Sequence, residues 1–80
     1  MHLKLTWRIK GRKDIDIMVT AQQTIYETMN ILVESGYMEE DIVKKTKYIK
    51  SLRTKTQVNV LLTYKEAKIY SGDILEFLTM

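Results

Sequence analysis

The sequence predicts an α+β domain in which a mixed sheet of four to five strands packs on one helix. Apolar residues alternate with polar ones at Leu3, Leu5, Trp7 and Ile9, and again at Ile15, Ile17 and Val19, which is the period of half-buried strands. Ile25, Met29, Leu32 and Val33 then fall at i, i+4, i+7 and i+8, along one face of a helix. Near the end Ile74, Leu75, Phe77 and Leu78 form a nearly continuous apolar segment, as expected of a central strand covered on both faces. The 80 residues suffice for one small domain, 1–80, and a hydrophobic fraction of 45% argues for a folded one. With no cysteine, disulfide scaffolds, thiolate metal sites and cysteine nucleophiles are excluded.

The first two strands are joined by Gly11-Arg12-Lys13 and read as a hairpin, whose outer face sets Lys4, Arg8 and Lys10 beside Asp14 and Asp16. The helix lies between Thr20 and Gly36. Thr24 and Glu27 fit a capping box at its start, with Thr20 and Gln23 as a weaker alternative, and Gly36 marks its end. Residues 37–46 read as a loop with room for a helical turn, because their apolar content is sparse. Tyr48, Ile49 and Leu52 lie in a third strand whose inward face the spacing leaves open. Val58, Val60 and Leu62 alternate in a short fourth strand, and Ser71-Gly72-Asp73 is the turn before the last. Strand, strand, helix, strand, short strand, strand is the order of the β-grasp, or ubiquitin-like, arrangement. It requires parallel pairing of the first and last strands through a helix-containing crossover.

Three segments of the second half carry a resemblance: Tyr48-Ile49-Lys50-Ser51-Leu52-Arg53, Tyr64-Lys65-Glu66-Ala67-Lys68-Ile69 and Ser71-Gly72-Asp73-Ile74-Leu75-Glu76-Phe77-Leu78. The chain is most similar to the small ubiquitin-like YukD/EsaB family associated with type VII (ESX-like) secretion in Gram-positive bacteria. Tyr64, Ile69, Gly72, Asp73, Ile74 and Leu75 reproduce that family's turn, Gly-Asp and apolar last strand. Leu78-Thr79-Met80 departs from the Gly-Gly tail of conjugating ubiquitin-like proteins and sulfur carriers, and no glycine follows Gly72. Without glycine the tail cannot thread closely into an activating site, so conjugation is not expected. The resemblance implies a non-conjugated, cytosolic adaptor or regulator of a bacterial type VII secretion system. It would work without a cofactor through protein contacts, with a component of the secretion machinery as partner, and would reach the inner face of the membrane only through that partner.

No apolar run is long enough for a spanning helix, and Met1 to Trp7 alternate where a signal peptide would be continuously apolar, so a cytoplasmic protein without direct membrane insertion is expected. His2 lies near the terminus with no second histidine or cysteine to complete a metal site or triad. Asp14 and Asp16 read as ion-pair partners of the hairpin, not as a catalytic pair. Ser35, Ser51 and Ser71 lack a base in any recognisable arrangement, and the sequence points to no enzyme. Trp7 and Phe77 are expected in the core; the five tyrosines are divided between core and surface, with Tyr48 the strongest interface candidate.

Lys44, Lys45, Lys47, Lys50, Arg53 and Lys55 follow one another with no intervening acid. From this stretch Lys47, Tyr48, Lys50, Arg53 and Lys55 are the expected partner-binding residues, a positive surface that would speed association with an acidic one. The alternative is a small nucleic-acid-binding protein in which these lysines neutralise phosphates and Tyr48 stacks on a base. That reading is disfavoured, because Glu39, Glu40 and Asp41 adjoin the patch and no recognition motif accompanies it. An open strand edge could also pair two copies in a homodimer.

Overall fold

The computed structural model describes residues 2–77. Strand β1 (His2–Arg8) runs antiparallel to β2 (Ile15–Thr20), with Leu3 opposite Val19, Leu5 opposite Ile17 and Trp7 opposite Ile15. The alternation thus becomes a register that puts the apolar set of both strands on one face. On the other face Arg8 grips Asp14 through Nε and Nη2 at 3.3 and 3.2 Å, and Thr6 Oγ1 donates to Asp16 at 2.8 Å. Both carboxylates therefore serve the hairpin, although Lys4 stands opposite Met18 and not opposite an acid.

Helix α1 (Ile25–Glu34) begins where the sequence places it, with the Thr24 hydroxyl accepting the Glu27 N–H at 3.1 Å. In place of a reciprocal bond from Glu27, the N–H groups of Ile25 and Tyr26 donate to the carbonyls of Leu62 and Val60 at 3.0 and 2.9 Å. The orphan donors of the first turn are so satisfied partly by a distant loop. Tyr37 N–H closes the far end on Leu32 C=O at 2.9 Å, which needs the left-handed backbone that Gly36 supplies at φ +82°. The stretch read as a loop forms a second helix, α2 (Glu40–Lys45), with Val43 buried. Six residues cannot hold a helix in water, so it is the docking of Val43 that sustains it.

The chain then forms β3 (Tyr48–Ser51), β4 (Thr56–Asn59) and β5 (Ile74–Phe77). The strand order is β2-β1-β5-β3-β4, with β1 and β5 parallel and the other pairs antiparallel. This is the β-grasp arrangement, an α+β fold. Ile49 and Ser51 turn inward and Tyr48 outward, settling the face of β3. Two expectations are corrected. β4 stops at Asn59, short of the alternating run to Leu62, because the Asn59 side chain accepts the Leu61 N–H at 2.8 Å and turns the chain. β5 is central but covered on one face only, since Ile74 and Glu76 lie on the opposite face and are half-buried. Leu78 and the tail to Met80 lie outside the described residues.

Between β4 and β5 a single helical turn carries a complete capping box that the sequence reading did not single out. Glu66 N–H donates to Thr63 Oγ1 at 3.1 Å, and Thr63 N–H donates to Glu66 Oε1 at 2.9 Å. The turn ends as α1 does, with Ile69 N–H on Tyr64 C=O at 3.0 Å and Lys68 N–H on Lys65 C=O at 3.1 Å. Here, however, the left-handed residue is Lys68, at φ +58°. A residue with a Cβ is disfavoured there relative to glycine. Lys68→Gly is expected to raise the unfolding free energy by about 1 kcal/mol, read as a higher urea midpoint; a lower midpoint would mean that the lysine side chain makes a contact outweighing the backbone relief.

This turn also delivers Tyr64 to the centre of the core, where it is wholly buried and its hydroxyl donates to Thr28 Oγ1 at 2.6 Å. Burial pushes the phenol well above its usual range, against the opposing effect of the Thr28 bond. A raised value in the folded state means that stability is intact below the unfolded tyrosine value near 10.0 and falls as pH rises beyond it. Alkaline titration should accordingly leave one tyrosine without tyrosinate absorbance until the protein unfolds. Tyr64→Phe is expected to cost about 1–2 kcal/mol, whereas pairing it with Thr28→Val should cost less than the sum of the single changes, because neither partner is then orphaned.

Candidate binding surface

The five residues expected to bind a partner are dispersed over three surroundings. Lys50 points to the outer face of the sheet in register with Glu76, which in turn lies beside Arg8, the partner of Asp14. Read across the strands, Asp14, Arg8, Glu76 and Lys50 alternate in sign, so Lys50 belongs to a compensated row. A tract of phosphates would need uncompensated cations there.

Arg53 and Lys55 lie in the turn between β3 and β4, and Arg53 is tied inward. Its Nη2 donates to Lys68 C=O at 2.7 Å, its guanidinium lies 4.9 Å from the Tyr70 ring centre, and Nε reaches Asp73 Oδ2 at 3.4 Å. Asp73, 1% exposed, also accepts from Ser51 Oγ at 3.0 and 3.1 Å and from the Ile74 N–H at 2.9 Å. Arg53 is thus part of what holds the start of β5. Lys55 occupies the left-handed position of its turn at φ +57° and is exposed.

Lys47 and Tyr48 line a groove of about 200 Å³ together with Tyr26, Val43, Lys44 and Leu61. One wall is the last turn of α2, where Glu40 and Asp41 at the start and Lys44 and Lys45 at the end match the helix dipole. Lys44 Nζ also reaches Glu40 at 3.1 Å, an exposed pair. The Thr46 hydroxyl donates to Ile42 C=O at 2.6 Å and closes that helix. The other wall is the turn after β4, tied across the groove by Val60 N–H on Lys47 C=O at 3.0 Å. Val43 and Val60 are buried at the floor, while Tyr48 at 47% and Leu61 at 71% exposure stand at the rim. Sequence reasoning reached Lys47 and Tyr48 but missed Leu61, whose one signal was an apolar side chain on the polar side of the Val58, Val60, Leu62 alternation.

The other groups weighed from the sequence are placed plainly. Trp7 and Phe77 are buried with ring centres 5.6 Å apart, and His2 is exposed at the start of β1. Tyr37, Tyr48 and Tyr70 are exposed and Tyr26 is half-buried. Among the described residues no cluster of three histidine or acidic side chains is positioned for a metal, and no helix is long and apolar enough to cross a membrane.

No family model matches the sequence, and no curated protein matches it. Solved structures do match. A protein designed on the basis of ubiquitin has a TM-score of 0.72 at 20% identity, covering 94% of this chain and 84% of its own. The C-terminal ubiquitin-like domain of mouse tubulin-specific chaperone e gives 0.69 at 14% identity, covering 95% of this chain and 84% of that one. The ubiquitin of Caldiarchaeum subterraneum gives 0.68 at 13% identity over 100% of this chain and 98% of that one. Identities this low speak for architecture alone, and with the parallel β1–β5 pair and the helix across the sheet they establish that this chain has the ubiquitin-like fold.

Proposed function

We propose that this chain is a non-enzymatic ubiquitin-like adaptor that docks a protein partner within a bacterial type VII (ESX-like) secretion apparatus. The observation that carries the docking role is the groove at the start of β3. There Tyr48 and Leu61 expose apolar area beside Lys44 and Lys47 around one groove; Met18, Ile31, Tyr37 and Tyr70 are exposed too, but none of them lines it. Exposed apolar and aromatic groups rimmed by polar ones mark protein contacts. The secretion role rests on the resemblance of residues 48–53, 64–69 and 71–78 to the YukD/EsaB family. In that role the protein is cytoplasmic and meets the membrane only through its partner.

Affinity capture from the native host tests both parts. Wild-type protein should recover components of the secretion machinery, and Lys47→Glu should lose them while Lys50→Glu, in the compensated row, keeps them. Enrichment of an unrelated assembly would sink the secretion role, and recovery of nuclease-sensitive nucleic acid would replace the protein partner.

A further inference from the structure

We infer that the groove between α2 and the turn after β4 takes an acidic segment of a partner protein that carries one bulky apolar side chain. This inference rests on the docking role just proposed and names the chemistry of the ligand. The floor is apolar, formed by Val43 and Val60 with Tyr26 also in the lining, and about 200 Å³ is less than the roughly 300 Å³ at which small-molecule pockets begin. The space suits one large side chain of a peptide better than a cofactor.

Charge completes the specification. Lys44 and Lys47 line the groove, no acidic side chain does, and Lys44 is paired with Glu40. An incoming carboxylate therefore meets Lys47, for which the structure contains no ion-pair partner among the described residues. A nucleic acid would satisfy the lysines, but it would leave the Leu61 side chain, 71% exposed, among phosphates and water. A peptide bearing both acid and apolar groups covers all of the exposed features together.

The groove is also built before a ligand arrives. Tyr26 N–H donates to Val60 C=O at 2.9 Å, Val60 N–H to Lys47 C=O at 3.0 Å and Leu61 N–H to Asn59 Oδ1 at 2.8 Å. The backbone that presents Leu61 and Lys47 is so held in place, and little ordering is left to oppose binding.

The test is an amide-resolved NMR titration of the whole protein with three synthetic peptides: a single phenylalanine flanked by glutamates, the same phenylalanine flanked by lysines, and a serine flanked by glutamates. The first should produce saturable shifts at Lys47, Tyr48 and Leu61 that weaken with added salt, and the other two should bind at least about tenfold more weakly. Lys47→Glu and Leu61→Ser should each reduce affinity for the first peptide about tenfold while leaving the thermal midpoint in place. Absence of saturable shifts, shifts centred on Lys4 and Lys50 at the outer sheet face, or equal binding of the lysine peptide would each overturn the inference. Displacement of the peptide by a short oligonucleotide from the same amides would overturn it in favour of nucleic acid. If the peptides fail while host capture still recovers secretion components, the adaptor role stands and this groove is not its site.

Discussion

Asp73→Ala is expected to lower the unfolding free energy by about 3 kcal/mol or more. The carboxylate is 1% exposed and accepts from the Ser51 hydroxyl, the Ile74 N–H and Arg53 Nε. Alanine would orphan the buried Ser51 hydroxyl and the Ile74 N–H and free the Arg53 side chain from its inward pose. The damage would fall where β5 enters the sheet between β1 and β3, because Thr6 N–H bonds Asp73 C=O at 3.1 Å and Leu52 N–H bonds Ile74 C=O at 2.9 Å. A domain of this size is stable by only about 4–12 kcal/mol, so the loss would be a large fraction of the total. Asp73→Asn retains one acceptor oxygen and should cost less. Arg53→Ala should cost less still, since that side chain is 43% exposed and water can screen its pairing. Urea unfolding of the three variants gives the order, and an Arg53→Ala loss equal to that of Asp73→Ala would show that the ion pair, and not the buried hydrogen bonds, dominates.

Trp7→Ala should be comparably severe, at about 3–5 kcal/mol. Trp7 is wholly buried on β1, between Ile15 of β2 and Leu75 of β5 in register, with its ring against Phe77. Truncation there opens a cavity at the middle of the sheet, where strands on both sides limit collapse. The indole Nε1–H, however, is buried and makes no hydrogen bond of good geometry among the described residues, although it lies close enough to the Tyr64 hydroxyl to oppose the rise of that phenol's pKa. A buried donor left without a good partner costs up to about 1–3 kcal/mol, so Trp7→Phe loses ring volume but removes part of that penalty. It should be milder than the alanine variant by at least about 2 kcal/mol. Equal losses in the two variants, measured by chemical denaturation, would mean that the N–H is not an unfavourable orphan and that retained ring volume does not offset the loss of the indole's own contacts.

The resemblance in the second half also has a physical reading. Tyr64 and Ile69 fill the core, Asp73 anchors β5, and Gly72 adopts φ +92° in the turn closed by Asp73 N–H on Tyr70 C=O at 3.1 Å. These residues build the ubiquitin-like fold of this chain. The groove residues Tyr26, Leu61 and Lys47 lie outside the motif, which is why the resemblance pointed to the architecture more directly than to the binding surface.

Within the charge run, adjacency in sequence did not survive folding as adjacency in role. Lys47 and Tyr48 reached the groove, Lys50 met Glu76 across β5, and Arg53 turned to Asp73. A list of neighbouring cations carries no information about which acid a sheet will bring opposite each one. Leu61 was hidden for a related reason. Its neighbours Val60 and Leu62 sit in an alternating pattern, and only the Asn59 turn takes Leu61 out of a strand and into the rim.

Local pattern was sufficient for the hairpin, for α1 with its Thr24 cap and Gly36 stop, and for the β-grasp order, because periodicity and end chemistry act within one or two turns of chain. Long-range pairing had to choose the inward face of β3, the one-sided cover of β5 and the existence of α2. Each depends on partners far away in sequence, such as Ser51 with Asp73 across 22 residues and Tyr64 with Thr28 across 36. Folding brings such groups together only when the whole sheet closes over the helix, and the groove that this closure leaves between α2 and the turn after β4 has no counterpart in any local segment.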